Sequence, residues 1–426
     1  MARKTTKNNK KVEKETNTNN FIQTVILAVS ESENFFPLTK TIPKLLLPIA
    51  NVPAIDYILE MLQKVDTEEI LIISSSEHCE KIQRYLDSSK YSRNKIFIFK
   101  LIPVISQNGN CDALRRIEQM DIIRSEPFIL ISSIPVTNFD LKPVIEIHRR
   151  NFKENRHNFI TCVMKEYPKN HRNLSVTDNN FIVVTTPTKT SSIERILNFS
   201  QNWDNFDISK FVQNGQLNIR QGFVDIGIDI CSLSVLRLCF DNFDYRLLRL
   251  HLLKNAIESE IEEMIAHIYV PDEKDYFGVV KEMKSFDSVT KDIIGNWAYP
   301  LGPQNNFYEF GLEIMEQSFI HPSAQISSTA KIKSGCIIAQ NCKIGANSIL
   351  EKTVLGPFSQ IGENNKIENS YFLSGATIQD NCSVLYSFSG NNVTIGKNCL
   401  LNHATVVADN VKIDENTTTK QFSVIK

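Results

Sequence analysis

Chemistry in this 426-residue chain has to come from a few polar constellations. The loop Val29-Ser30-Glu31-Ser32-Glu33-Asn34-Phe35-Phe36 closes the apolar run Ile22–Val29 and leads to Pro43-Lys44-Leu45-Leu46-Leu47-Pro48. It carries two carboxylates and neither glycine nor arginine, a composition hostile to phosphate. A carboxylate about 4 Å from a phosphate oxygen costs on the order of 4 kcal/mol at an effective dielectric of 20, and a Cβ on every residue bars close approach of the backbone. A second apolar run ends in Ser132-Ser133-Ile134-Pro135, where isoleucine offers no oxygen to a hard cation. Asp140, six residues on, reads as the opening of a helix. Asp241-Asn242-Phe243-Asp244-Tyr245-Arg246 places an aromatic ring beside an amide at what reads as a helix start, with Asp241 or Asn242 as its cap. If that ring faces outward the pair has the make-up of a binding hot spot; if it packs beneath the helix it is ordinary core.

These residues need a scaffold, and the sequence writes one in two parts. Continuously apolar runs alternate with amphipathic stretches through the first half: Ile22–Val29, Glu69–Ser74, Lys95–Lys100, Pro127–Ser132 and Asn158–Lys165 as strands, with helices over Glu77–Asp87, Ala113–Met120 and Leu141–Arg150. Ile55, Ile58, Leu59 and Leu62 form one helical stripe, for which Asn51 suits the cap. The alternation predicts a parallel sheet with helices on both faces. From Asn180 the chain becomes strand-rich, over Val183–Thr186 and Gly222–Asp229, before helices at Asp244–Met264 and Phe286–Trp297 and a linker containing Pro300–Asn306.

From Phe319 an aliphatic residue recurs every six positions: Ile320, Ile326, Ile332, Ile338, Ile344, Leu350. After a one-residue slip come Leu355, Ile361, Ile367, Leu373, Ile378 and Val384, and after an interruption at Ser387–Asn392 come Ile395, Leu401, Val407 and Ile413. A fixed six-residue period marks a stacked solenoid of short strands and turns. Three strands per triangular coil give roughly five coils of a left-handed parallel β-helix. The expected layout is a basic tail over 1–20, an α/β nucleotidyltransferase-like domain over 21–300, a linker over 301–317 and the β-helix over 318–426.

Composition narrows the setting. A net charge of −1 makes no case for nucleic acid or an anionic membrane as principal partner. The nine cysteines contain no CxxC pair, and several sit in small-residue slots of the repeat, which suits free thiols in a reducing compartment, expected to be the cytoplasm. The start lacks the apolar core of a signal peptide. His321 and His403 are the histidines within the repeats, and neither has a partner acid at an informative spacing.

An α/β domain joined to such a β-helix resembles the sugar-phosphate nucleotidyltransferases, and Pro43–Pro48 is similar to the segment that follows their nucleotide loop. In active members that loop is glycine-rich with a Thr-Arg pair, and an Asp after the fourth strand holds Mg²⁺. Here the loop lacks both and Ile134 stands where the Asp aligns, so the resemblance implies the fold with its chemistry lost.

Phe35–Lys40, Leu46–Val52, Ile55–Glu60, the Asn242-Phe243 pair and Ile293-Ile294-Gly295-Asn296-Trp297-Ala298-Tyr299-Pro300-Leu301 are similar, over residues 21–426, to the ε-subunit family of eukaryotic translation initiation factor 2B. That resemblance implies a guanine-nucleotide exchange factor that releases GDP from initiation factor 2. It implies no cofactor, no metal and no catalytic residue, an exchange-promoting motif at Asn242 and Phe243, and partnership with other subunits, above all a γ-type one. The alternatives are a true nucleotidyltransferase with an unusual loop and a purely scaffolding, γ-like subunit. Members of the ε family continue past the β-helix into a helical-repeat exchange domain. This sequence stops at Lys426, and truncation, supply by another chain and a reduced subunit remain open.

Overall fold

The computed structural model describes residues 21–29, 32–104, 109–168, 171–174, 182–188, 193–200, 216–259, 263–303, 311–315 and 317–426. The expected basic tail, 1–20, lies outside them. Ten strands form one twisted sheet: β1 (Ile22–Leu27), β2 (Thr67–Ser75), β3 (Ile98–Val104), β4 (Phe128–Ile131), β5 (Asn158–Glu166), β6 (Ile182–Pro187), β7 (Ile193–Ser200), β8 (Asn218–Gln221), β9 (Phe223–Cys231) and β10 (Ile265–Tyr269). Across the sheet they run β8-β6-β7-β10-β5-β9-β4-β1-β2-β3. The sheet is mixed, which corrects the expectation of a parallel one. β1, β2, β3 and β4 pair in parallel, but β9 lies antiparallel between β4 and β5, and β10-β7-β6-β8 are antiparallel neighbours. The third strand also begins later than the expected Lys95, at Ile98, because Lys95 sits in a left-handed turn.

Among the described residues eight α-helices accompany the sheet: α1 (Ala54–Leu62), α2 (Ser76–Ser88), α3 (Lys90–Arg93), α4 (Asn110–Met120), α5 (Lys142–Glu154), α6 (Ser234–Asp241), α7 (Lys254–Glu258) and α8 (Met283–Ile294). The apolar strands need cover on both faces, and alternate residues go to opposite sides. Ile26, Ile70 and Ile72 join the core under α1, α2 and α5, while Val25, Leu71 and Ile73 join the core under α4 and α6. Asn51 does not cap α1. It adopts φ 65° in a tight hairpin, and its Nδ2 instead donates to Leu355 O of the β-helix at 2.8 Å. No helix among the described residues is long and apolar enough to cross a membrane.

The repeat winds into three sheets of seven, six and five parallel strands, the first extended at its edge by the antiparallel strand Glu313–Met315. Five coils carry all three strands and a further turn reaches Val424–Ile425, so the solenoid is longer than the expected five coils. Coil partners are 17 residues apart at Ile338, Leu355, Phe372 and Ser389, then 18 apart through Val407 and Ile425. The 17-residue coils account for the slip in the period. They also correct two expectations: Phe372 rather than Leu373 stands in the ladder with Leu355, and Ser387–Asn392 is no break but a regular coil with Ser389 in the inward slot. The corners carry Asn341, Asn347, Asn364, Asn381, Asn392, Asn398, Asn410 and Asn416 at positive φ, the residue type that tolerates the left-handed region. Several corner amides bond upward, as Asn347 Nδ2 does to Asn364 Oδ1 (3.3 Å) and Asn398 Nδ2 to Asn416 Oδ1 (3.0 Å).

The two halves share one core. The outward row Phe319, Ile337, Val354 and Tyr371 packs with Phe35, Leu47, Ile49, Ile134, Phe286, Val289 and Ile293. Phe286 meets Tyr371 and Phe388 edge-on at 5.4 and 5.6 Å, and Tyr371 Oη donates to Asp287 Oδ1 at 2.6 Å. Within the expected linker, Leu301 is buried in this core and Glu313–Met315 pairs with Ser318–Ile320, while residues 304–310 and 316 lie outside the described set.

Two buried histidines link this fold to pH. His148 on α5 contacts Thr161 Oγ1 at 2.9 Å, and His267 lies on β10. Burial, aided by the charge of His267, lowers His148 to about 3, and burial, aided by Arg195, lowers His267 to about 4. An unfolded histidine takes its proton near 6.5. Above that pH both states are neutral and the full stability is present; below it only the unfolded chain binds the proton, so stability falls as pH drops toward the folded values. Each histidine should cost about 2 kcal/mol between pH 6.5 and 5. Urea titrations of His148→Gln against wild type should show about half of that acid-side slope removed, and parallel curves would contradict this origin.

Candidate functional site

The first place to look is the carboxyl edge of β1 and β4, where α/β sheets bind ligands. Ser30 and Glu31 lie outside the described residues, as do the side chains of Ser32 and Glu33. The rest of the loop is closed. Ser32–Phe35 turns as a 3₁₀ helix and drives Phe35, fully buried, into the core shared with the β-helix, where the Lys44 ammonium lies 5.7 Å from its ring. Ile134, 2% exposed, enters the same core, and its carbonyl accepts from Val280 N at 3.0 Å. Asp140 Oδ1 accepts from Lys142 N at 3.0 Å, in keeping with a residue that opens α5.

A carboxylate beside this edge is itself tied down. Arg249 grips Asp225 through Nε (2.7 Å) and Nη2 (2.8 Å) and reaches Asp229 at 2.7 Å. Burial pushes both carboxyls up; the guanidinium reverses this for Asp225 and holds it below the usual range, while Asp229, which also faces Asp225, stays above it. Beside them Gly227 takes φ 72° in a bulge against Ser133, where a Cβ would stand 2.2 Å from Ser133 Oγ. Mg²⁺ needs unengaged oxygen ligands in octahedral array. With Ile134 apolar and Asp225 chelated by an arginine, the residues present do not fit that ion. Among the described residues no cluster of three or more His, Cys, Asp or Glu could hold a metal.

The second constellation is built differently. The Asn242-Phe243 pair does not start a helix; it follows the end of α6, and the chain turns through 242–247 before a π-helical turn at Leu248–Leu253. Asn242 acts at the C-terminal side: its N and Nδ2 both donate to Leu238 O, at 3.2 and 3.0 Å. The expected cap position was displaced because Asp241 completes α6 rather than preceding a new helix. Phe243 is 72% exposed, with Phe240 and Leu247 also exposed and the Phe240 ring 6.5 Å away. The ring is therefore not core.

Three residues that sequence reading passed over hold this loop. Arg115, buried on α4, donates to the carbonyls of Cys239, Asn242, Phe243 and Tyr245 at 2.9–3.4 Å and pairs with Asp112. His251 Nδ1 accepts from Arg246 N and Leu247 N, at 2.9 and 3.2 Å. Gly109 takes φ 117° because a Cβ there would stand 2.4 Å from Arg246 O, which also accepts from Cys111 N. One signal was available: Arg115 lies on the buried stripe Cys111–Leu114–Arg115, where an arginine is rarely found without partners. His403, one of the two histidines noted within the repeats, is an exposed corner residue whose ring stacks on Tyr386 at 4.6 Å.

Comparison with known proteins finds both architectural relatives. Residues 23–173 match the family described as nucleotidyl transferase, and residues 315–419 match that described as the EIF2B subunit epsilon LbH domain. The translation initiation factor eIF2B subunit epsilon of Schizosaccharomyces pombe is 28% identical over 344 residues, 80% of this chain and 48% of its own length. That of Dictyostelium discoideum is 29% identical over 330 residues, 76% of this chain and 45% of its own. The chain is thus similar to eIF2B ε subunits over most of its length. It spans about half the length of those ε relatives. A UTP–glucose-1-phosphate uridylyltransferase of Synechocystis is 20% identical over 365 residues, 81% of this chain and 86% of its own length.

Because Phe243 projects from a loop that is fixed from beneath, its ring contributes little to folding. Phe243→Ala should leave stability within about 1 kcal/mol of wild type, against about 3–5 kcal/mol for a core phenylalanine such as Phe372. Asn242→Ala should cost about 0.5–1.5 kcal/mol through the lost helix-end bond. Thermal melts of the three variants check the order.

Proposed function

We propose that this chain is an ε-type subunit of an eIF2B complex that promotes GDP release from initiation factor 2 in the cytoplasm, with the Asn242-Phe243 loop as part of the surface that meets the factor. The observation that carries the reading is the exposed Phe243 ring on a rigidly held loop in a chain similar to eIF2B ε subunits. An exchange factor works by favouring the nucleotide-free form of its target, so it needs differential contacts rather than bond chemistry. A stiff loop that presents a large aromatic side chain supplies such a contact at low entropic cost. A γ-type subunit is the expected partner in assembly, and no cofactor, metal or direct nucleic-acid contact is required.

The same proposal holds that the nucleotidyltransferase-like domain transfers no nucleotide. The competing reading, a sugar-phosphate uridylyltransferase, rests on the likeness to the Synechocystis enzyme across most of both chains. Against it stand Phe35 and Ile134, packed into the shared core, and Asp225, held by Arg249.

Two assays test these claims. In the reconstituted complex, Phe243→Ala should slow GDP release from initiation factor 2 about tenfold or more while assembly and melting temperature stay near wild type; an unchanged release rate would remove the loop from the exchange surface. Incubation of the chain with each nucleoside triphosphate, Mg²⁺ and hexose 1-phosphates should release no pyrophosphate above a protein-free control. Turnover that disappears on mutation within Val29–Phe36 would instead establish the transferase.

A further inference from the structure

The shape of the Phe243 loop depends on one guanidinium, and the inference drawn from this rests on the exchange reading above. Arg115 is 7% exposed. Its Nη1 donates to Cys239 O (3.3 Å), Asn242 O (3.4 Å) and Tyr245 O (3.0 Å), and its Nη2 to Phe243 O (3.2 Å) and Tyr245 O (2.9 Å). Asp112 on the same helix orients the fork from behind. The guanidinium carbon lies 5.9 Å from the Phe243 ring, yet the ring stays largely in solvent. Arg115 therefore touches the ring on one side and leaves the remainder free for a partner.

Every one of these acceptors is a main-chain carbonyl at the end of α6 or in the turn after it. Without a donor these oxygens would be turned toward one another at a helix end whose dipole is already negative. Five fixed N–H donors can satisfy four carbonyls at once; a lysine, with three donors on one atom, cannot reproduce the fork. The amide side is held independently, by His251 Nδ1 on Arg246 N and Leu247 N, and that contact fixes the proton on His251 Nε2. The loop is thus shaped before any encounter.

We infer that Arg115 is the positioning residue of the exchange surface: it sets the binding competence of Phe243 by pre-forming the loop, without itself meeting the partner. Pre-organisation of this kind raises affinity by removing the ordering cost from the binding step. An effect exerted through Phe243 must vanish when Phe243 is gone, which an independent structural role would not do.

The test is a double-mutant cycle in the reconstituted complex, read as affinity for nucleotide-free initiation factor 2 by biolayer interferometry. Arg115→Lys should weaken binding about tenfold, Phe243→Ala about tenfold or more, and the pair by no more than about twofold beyond Phe243→Ala alone. Hydrogen exchange at amides 243–247 should quicken in Arg115→Lys while the strands of the central sheet remain protected. Should Arg115→Lys compromise folding, Asp112→Asn, which keeps the guanidinium but frees its fork, takes its place in the cycle. Losses that multiply, or full affinity in a variant whose loop amides exchange faster, would overturn the positioning role while leaving Phe243 as a contact. Wild-type affinity in Phe243→Ala would defeat the exchange reading and this inference together.

Discussion

The contact between Phe286 and the outward face of the β-helix is the constraint on which the rest of this molecule hangs. A parallel solenoid closes its own interior but leaves flat outer faces, and here one of them carries Phe319, Ile337, Val354 and Tyr371 in a row. That row is covered by α8 and by the turns after β1 and before α1, so that the two halves form one core rather than two that touch. Burial of each large apolar side chain is worth about 1.5–3 kcal/mol, which makes this junction a major part of the stability of both halves. It also dictates what the nucleotide edge can be. Phe35 and Ile134, which stand at that edge, are buried in the junction.

A second theme is the use of buried arginines to settle backbone and carboxylate groups. Arg249 and Arg115 lie on the same face of the sheet, on consecutive parts of one core. The first neutralises two aspartates that would otherwise leave uncompensated charge in the interior, a cost that pairing must offset. The second gathers carbonyls at a helix end. In each case a planar fork with several donors does what a point charge could not.

Sequence periodicity revealed the solenoid, though the 17-residue coils led it to choose Leu373 over Phe372 and to read Ser387–Asn392 as an interruption, and it revealed most strands, because a run such as IQTVILAV has no other use. It did not reveal the mixed sheet order: β9 reads like any buried strand, and only pairing with β4 and β5 tells its direction. The Asn242-Phe243 pair was visible as a chemical type but was placed on the wrong side of a helix, since DNFDYR contains residues that suit either end. Asn51 misled in the same way: its turn chemistry was legible, its partner Leu355 lies 304 positions away. The loop's support was harder to read for a related reason: beyond Asp112, the partners of Arg115 are main-chain carbonyls, which have no letter in the sequence.

The stacked asparagine corners bear on how this chain can change length. Each coil of 17 or 18 residues returns the chain to the same corner, where an amide in the left-handed region sits above its predecessor. Loss of three residues inside a coil would rotate every later aliphatic side chain away from the axis and carry the corner amides out of line. Loss of a whole coil would leave each surviving contact in place and shorten the column by about 4.8 Å. Insertions and deletions in this half are therefore quantised: a lineage can gain or shed complete coils, or one residue at a corner, and little between.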